Sequence, residues 1–276
     1  MQIPLEDFYE DIVGKAMRGL GVGESQLAAK TGVDPDTLRR LCRGEFSDET
    51  ALAKVARALD LDPGALLVSA SKAWRPRPVS VDGLTLYNTP YRDMRVNAFL
   101  IADPHSGAAA VFDTGTDSSP ILAEIENEGL RLEAIFITHT HNDHIADLDR
   151  LRVGTGRAVP VFANRLEPWE GAESFDEGKK FAVGGLTIET RTTSGHSIGG
   201  TTYVVTGLER PVAVVGDAMF AGSMGGGMIS HADALGNNRE KILTLPDETV
   251  LCPGHGPLTT VGEEKRCNPF FPEFKG

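Results

Sequence analysis

Cysteine is scarce in this chain. Cys42, Cys252 and Cys267 are the three thiols among 276 residues, too few and too scattered for a disulfide framework. A reducing compartment, in the simplest case the cytoplasm, is expected from that usage. Long apolar runs are also missing: none approaches the ~18 residues that a membrane-spanning helix needs. The first ten residues carry acids and lack an apolar centre, so no secretory leader is expected there. Basic residues are in the minority, 27 Lys and Arg against 39 Asp and Glu, for a net charge of −12. Such a balance argues against broad non-specific attraction to nucleic acid or anionic membranes. It leaves room for a local basic face. The remaining composition, 41% hydrophobic and 24% charged, is that of an ordinary globular protein of one or two domains.

Histidine is rare too, seven in all, yet three lie in Thr138-His139-Thr140-His141-Asn142-Asp143-His144. Upstream, Leu132, Ala134, Ile135, Phe136 and Ile137 read as a short buried strand. Downstream, Ile145, Leu148 and Leu151 fall at helical spacing. The cluster therefore ends a strand and opens a helix, where α/β sheets place ligands. Alternate side chains of extended backbone point the same way, so His139 and His141 can converge on one ion. Asp143 and His144, on the turn beyond, can face a second position. Imidazole with carboxylate suits zinc, iron or manganese.

Residues 1–72 read as all-helical. A first amphipathic helix is expected over 5–20, a short helix from Glu24, another from Pro35 to Arg43, and a fourth over 47–59. Asp34 is the cap and Pro35 the first helical residue of the third; Gly44 stops it. The pattern Gln26-Leu27-Ala28-x-x-Thr31-Gly32-Val33, then Thr37-Leu38-x-x-Leu41 and Arg43-Gly44, resembles lambda-repressor-like helix-turn-helix domains over about residues 20–70. That resemblance implies a recognition helix whose Arg39, Arg40 and Arg43 meet DNA. Charge pulls the other way. Residues 1–74 hold nine basic and twelve acidic side chains, and Asp34 and Asp36 would face phosphate. The alternative is a helical module that dimerises the chain or covers an edge of a catalytic domain.

Residues 71–78 read as a linker, after which β-branched and aromatic residues take over. Strands are expected at 79–87, 94–102, 107–112, 160–162, 181–190, 201–206 and 211–215, with helices at 121–130 and 234–243. Three further candidates stand at strand ends beside glycine: His196 in Ser194-Gly195-His196-Ser197, Asp217 after Val214-Val215-Gly216, and His255 in Pro253-Gly254-His255-Gly256-Pro257. Singly each is weak evidence. With the cluster they make five histidines and two aspartates, enough for two ions bridged by one carboxylate.

In this order, His139-x-His141-x-Asp143-His144, His196, Asp217 and His255 resemble the metallo-β-lactamase-fold hydrolases. Ser194-Gly195-His196-Ser197-x-Gly199, Pro253-Gly254-His255-Gly256-Pro257-x-Thr259 and Glu264-Lys265-x-x-Asn268-Pro269-Phe270 are similar to the glyoxalase II (hydroxyacylglutathione hydrolase) branch. The resemblance covers about residues 79–270. It implies a four-layer αβ/βα sandwich over 79–276, an α/β fold preceded by the small helical unit of 1–72. It also implies two divalent ions, zinc first and iron or manganese next. His139, His141 and His196 would hold one ion and Asp143, His144 and His255 the other, with Asp217 between them. Asp113 would support a ligand histidine.

The activity implied is hydrolysis of a small thioester or other carbonyl compound. A bridging hydroxide would attack the carbonyl, oriented and deprotonated by Asp143. Cys252 gets no role, and His231 is left out of the metal set. Two departures stand out. The chain read here lacks the C-terminal helical domain that grips glutathione, as in short single-domain members. Residues 222–228, Gly-Ser-Met-Gly-Gly-Gly-Met, replace a charged stretch and are expected to be mobile. Alternatives on the same fold are a persulfide dioxygenase with one iron, a lactonase, or a DNA-binding regulator with a metal-bound sensor. A homodimer is compatible with the helix-turn-helix resemblance.

Overall fold

A computed structural model describes residues 3–46, 48–155 and 159–275. Two six-stranded sheets face each other. The first contains β1 (Leu84–Tyr91), β2 (Met94–Ala102), β3 (Ala108–Phe112), β4 (Arg131–Phe136), β5 (Val161–Asn164) and β6 (Glu173–Phe175) in chain order. Its first three strands pair antiparallel and β3 to β6 pair parallel. The second runs β12-β11-β10-β9-β8-β7. Its strands are β7 (Lys180–Val183), β8 (Leu186–Thr192), β9 (Thr201–Thr206), β10 (Val212–Gly216), β11 (Val250–Pro253) and β12 (Thr259–Thr260). Here only β10 and β11 are parallel.

Strands buried on both faces read as continuous apolar runs. Ala108-Ala109-Ala110-Val111-Phe112 and Val212-Ala213-Val214-Val215 are of that kind, and each is wholly buried. Alternate residues therefore serve opposite cores. Phe112, Phe136, Tyr203, Val214 and Cys252 point between the sheets. Val111, Ile135 and Ile137 point outward against α6 (Ser119–Asn127) and α8 (Leu148–Gly154) through Ile121, Leu148 and Leu151. Ala213, Val215 and Leu251 face the opposite outer layer. The architecture is the expected αβ/βα sandwich, with helices on both outsides.

Five helices precede the sheets: α1 (Tyr9–Leu20), α2 (Glu24–Thr31), α3 (Pro35–Cys42), α4 (Glu49–Ala58) and α5 (Pro63–Ala70). Asp34 caps α3 by accepting from the amides of Asp36 and Thr37, and Asp48 and Asp62 cap the next two. Ser47, where the sequence pattern starts the fourth helix, lies outside the described residues. Ile12, Ala16, Leu52, Val55 and Leu66 share one apolar core with Val215, Leu251, Val261 and Phe271. The helices thus cover the outer face of the second sheet. On α3, Arg39 pairs with Asp36 at 2.5 Å and Arg40 with Glu45 at 3.0 Å.

Some boundaries differ from expectation. β1 begins at Leu84 rather than 79. The single strand expected over 181–190 is the hairpin β7–β8, turned at Gly184 with φ of 55°. The stretch 234–243 divides into α9 (His231–Asn237) and a wider π turn over Asn238–Ile242. The first part of the 222–228 stretch is fastened, while Met228 at its end is exposed. Ser223 and Met224 are buried, the Gly222 amide donates to Glu264, and Asn268 donates to the Ser223 carbonyl. Among the described residues no helix is long and apolar enough to cross a membrane.

Candidate metal centre

The ends of β4, β8, β10 and β11 bring the predicted ligands to one edge of the sandwich. After β4, α7 (Asn142–Ile145) makes one turn with His141 as its cap residue, so Asp143 and His144 leave on a different side from His139 and His141. His196 arrives on the turn between β8 and β9, Asp217 one residue beyond β10, and His255 two beyond β11.

All seven meet. His141 Nδ1 is 3.1 Å from both His139 Nε2 and His196 Nε2. Asp143 Oδ2 lies 3.3 Å from His255 Nε2 and 3.7 Å from His144 Nε2. Asp217 stands between the two sets. Its Oδ2 is 3.4 Å from His196 Nε2, 3.5 Å from His255 Nε2 and 4.0 Å from His139 Nε2, while its Oδ1 is 3.4 Å from His144 Nε2. The ligand atoms of His139, His141 and His196 lie within 4.8 Å of one another, as do those of Asp143, His144 and His255.

In four of the five histidines the opposite ring nitrogen is tied down, which fixes which nitrogen is offered. His144 Nδ1 donates to Asp113 Oδ2 at 2.7 Å, His255 Nδ1 to the Arg95 carbonyl at 2.6 Å, and His196 Nδ1 to the Gly226 carbonyl at 3.0 Å. His139 Nδ1 lies 3.0 Å from Thr138 Oγ1, which itself donates to Asp113 Oδ2. Asp113 also accepts from the Thr138 amide, and these bonds hold its backbone at a φ of 56°, in the left-handed region. It is the expected support for a ligand histidine, and it orders a second one through Thr138.

A cation fits this donor set. His144 Nε2 and Asp217 Oδ1 are buried, face each other at 3.4 Å and make no well-formed hydrogen bond. Both lie inside the cluster. Glycine makes the room: a Cβ on Gly254 would stand 2.1 Å from Asp217 Oδ1 and 2.6 Å from His144 Cε1.

Charges in the metal-free site oppose one another. Burial, then the His144 charge, holds His139 well below the usual imidazole range, and burial also lowers His141. Burial works against charge on His144 as well, yet Asp113 and Asp217 raise it to about 10. Burial is likewise outweighed at His255, where Asp217 and Asp143 lift the ring to about 11. A divalent ion must displace those two protons. Because both values are raised, the protonated forms persist through neutrality, so metal affinity should rise with pH. The expected slope approaches about a hundredfold per pH unit between pH 6 and 8, the limit for two released protons. Competition against a chelator at several pH values measures it, and a flat profile would contradict the assignment.

Two histidines stand apart. His231 packs on the Phe270 ring, 6.2 Å between centroids, and against Gly19. His105 follows β2. Cys252 is buried in the inter-sheet core, which pushes its thiol far up. Glu167 carries no signal in the sequence. It accepts from the amides of Thr140 and Gly199 and from Thr140 Oγ1, bracing the cluster's backbone and the turn that carries His196.

Fold and ligands together define a metal-dependent hydrolase architecture with room for two neighbouring ions. A family model described as the metallo-beta-lactamase superfamily matches residues 91–255, and the chain belongs to that superfamily. It is 32% identical over 215 residues to "Probable metallo-hydrolase YqgX" of Bacillus subtilis (strain 168), covering 67% of this chain and 96% of that one. It is 28% identical over 208 residues to hydroxyacylglutathione hydrolase GloC of Haemophilus influenzae, covering 66% and 95%. The crystal structure of BLEG-1 B3 metallo-beta-lactamase matches with a TM-score of 0.59 at 29% identity, over 68% of this chain and 99% of that one. That of ETHE1 from Myxococcus xanthus matches in fold, with a TM-score of 0.60 at 24% identity over 68% and 85%.

Proposed function

We propose that this chain hydrolyses a thioester with two divalent ions, zinc first, as glyoxalase II-like enzymes do. The observation that carries the reading is the complete second ligand set, Asp143, His144 and His255, joined to the first through Asp217. Relatives named for hydroxyacylglutathione hydrolysis, at about 30% identity, support the thioester. When bound, two such ions polarise a carbonyl and lower the pKa of a water toward neutrality.

The chain's own groups do the rest. His139, His141 and His196 would hold one ion, and Asp143, His144 and His255 the other, with Asp217 shared. Asp143 stands 3.3 Å from His255 Nε2 within the ligand cluster, so it can orient the attacking water and take its proton. The carbon–sulfur bond then breaks, giving an acid and a thiol, and the proton returns to sulfur. Serine and cysteine nucleophiles are not required, consistent with the burial of Cys252.

Metal analysis of the purified protein beside turnover of S-lactoylglutathione tests this. Two ions per chain with release of glutathione are expected. One iron per chain, with dioxygen consumed on glutathione persulfide and no thioester turnover, would replace it with the dioxygenase reading.

A further inference from the structure

The cavity above the ligands, about 620 Å³, is not walled by the sandwich alone. Glu6, Asp7, Lys15 and Arg18 from the N-terminal segment and α1 line it together with His196, Asp217 and His255. The helix is held there by specific contacts. Lys15 pairs with Asp7 and donates to the Met224 carbonyl at 2.9 Å, and its ammonium lies 4.8 Å from the Phe220 ring centroid. Ser223 donates to Asp7 at 2.6 Å. Gly19 passes so close to the 222–231 segment that a Cβ would meet the His231 ring at 2.2 Å.

Lys15 and Asp7 neutralise each other and act as fastenings. Arg18 differs. It lies three residues beyond Lys15, hence on the same side of the helix. It is exposed and borders the cavity, with its guanidinium folded back over Gly14, Nη1 3.2 Å from where a Cβ on that glycine would stand. Among the described residues no ion pair involves it, and of the two Lys or Arg side chains that border the cavity only Lys15 is paired with an acid. A guanidinium is built to bind a carboxylate with two parallel hydrogen bonds.

We propose that α1 is the substrate-tail wall of this site, and that Arg18 binds a carboxylate on the part of the substrate leading away from the reacting carbonyl. The thioester reading supplies the position of that carbonyl. Substrates are then acyl thioesters of an anionic thiol, and the helical unit sets specificity for the carrier.

The test compares the metal-loaded full chain with Arg18→Ala and Arg18→Lys. Calorimetry gives the Kd of free glutathione, which carries carboxylates, and of neutral N-acetylcysteamine. Kinetics compare S-lactoylglutathione with the lactoyl thioester of N-acetylcysteamine. In Arg18→Ala, glutathione Kd and the KM of its thioester should rise about fivefold, the scale of a rim charge pair. The kcat should hold, Arg18→Lys should recover part of the loss, and the neutral probes should not respond. Equal shifts for charged and neutral probes, no shift for either, or no glutathione binding to the native chain would overturn the proposal. Arg18-dependent glutathione binding without turnover of either thioester would remove the hydrolase reading and leave the tail wall standing.

Discussion

Asp217→Ala should reduce bound metal from two ions per chain to one or none and lower thioester turnover on the order of a thousandfold. The magnitude follows from the several kcal/mol that bound ions contribute to stabilising developing charge. Asp217 is the only carboxylate of the described site within 4.0 Å of imidazoles from both ligand sets. Burial by itself would keep it protonated, but the charges of His255 and His144 hold it well below the usual carboxylate range. Removing it leaves those imidazoles without their counter-charge, so the variant's metal-free form should also titrate differently. Elemental analysis beside kcat/KM checks the first claim. Full metal content with near-native activity would mean that the two sets work independently.

Gly254→Ala is expected to be nearly as damaging, though glycine donates nothing to a metal. The added methyl would lie 2.1 Å from Asp217 Oδ1 and 2.6 Å from His144 Cε1. Neither neighbour can yield easily. Gly254 sits between β11 and His255, its amide donates to the Gly216 carbonyl at 2.9 Å, and the Asn97 amide donates to its carbonyl at 2.7 Å. Overpacking of this kind costs about 1–3 kcal/mol of stability. Displacement of ligand side chains should weaken metal affinity by about 10- to 100-fold, as disturbed supporting contacts do. Chelator competition and denaturant titration read the two effects separately. Native metal affinity in this variant would show that the backbone here has slack.

The candidate ligands are legible in the sequence because imidazole and carboxylate are the residue types that bind such ions and because strand-end glycines bracket them. Five of the seven histidines are ligand candidates in the structure too, and the residues His139–His144 divide between two of the groups that could hold an ion. Helices α2 and α3 are equally plain from Asp34, Pro35 and the apolar spacing. What sequence does not reveal is held together across long separations. Lys15 meets Met224 and Asp7 meets Ser223 over 209 and 216 positions. No local pattern announces such a pair, so α1 can be read as a helix but not as a wall of the cavity.

The 222–228 loop shows the same limit from the other side. Its glycines signal backbone freedom, yet buried Glu264 and Asn268 take up that freedom through the Gly222 amide and the Ser223 carbonyl. The β7–β8 hairpin escapes notice because apolar alternation runs on either side of Gly184-Gly185 and hides the turn. The support from Glu167 is invisible for a further reason: a lone surface-type acid looks the same in sequence whether it is solvated or accepts three backbone and side-chain hydrogens.

The apolar interior shared by α1–α5 and the second sheet bears on how the molecule comes apart. Leu52, Val55 and Leu66 belong to the same cluster as Val215 and Leu251, so parting the helices from the sheet would lay apolar surface bare on both sides. Severing the chain in the 71–78 stretch would therefore yield two sticky fragments instead of two working halves. Heating should melt helices and sandwich together, in a single cooperative step.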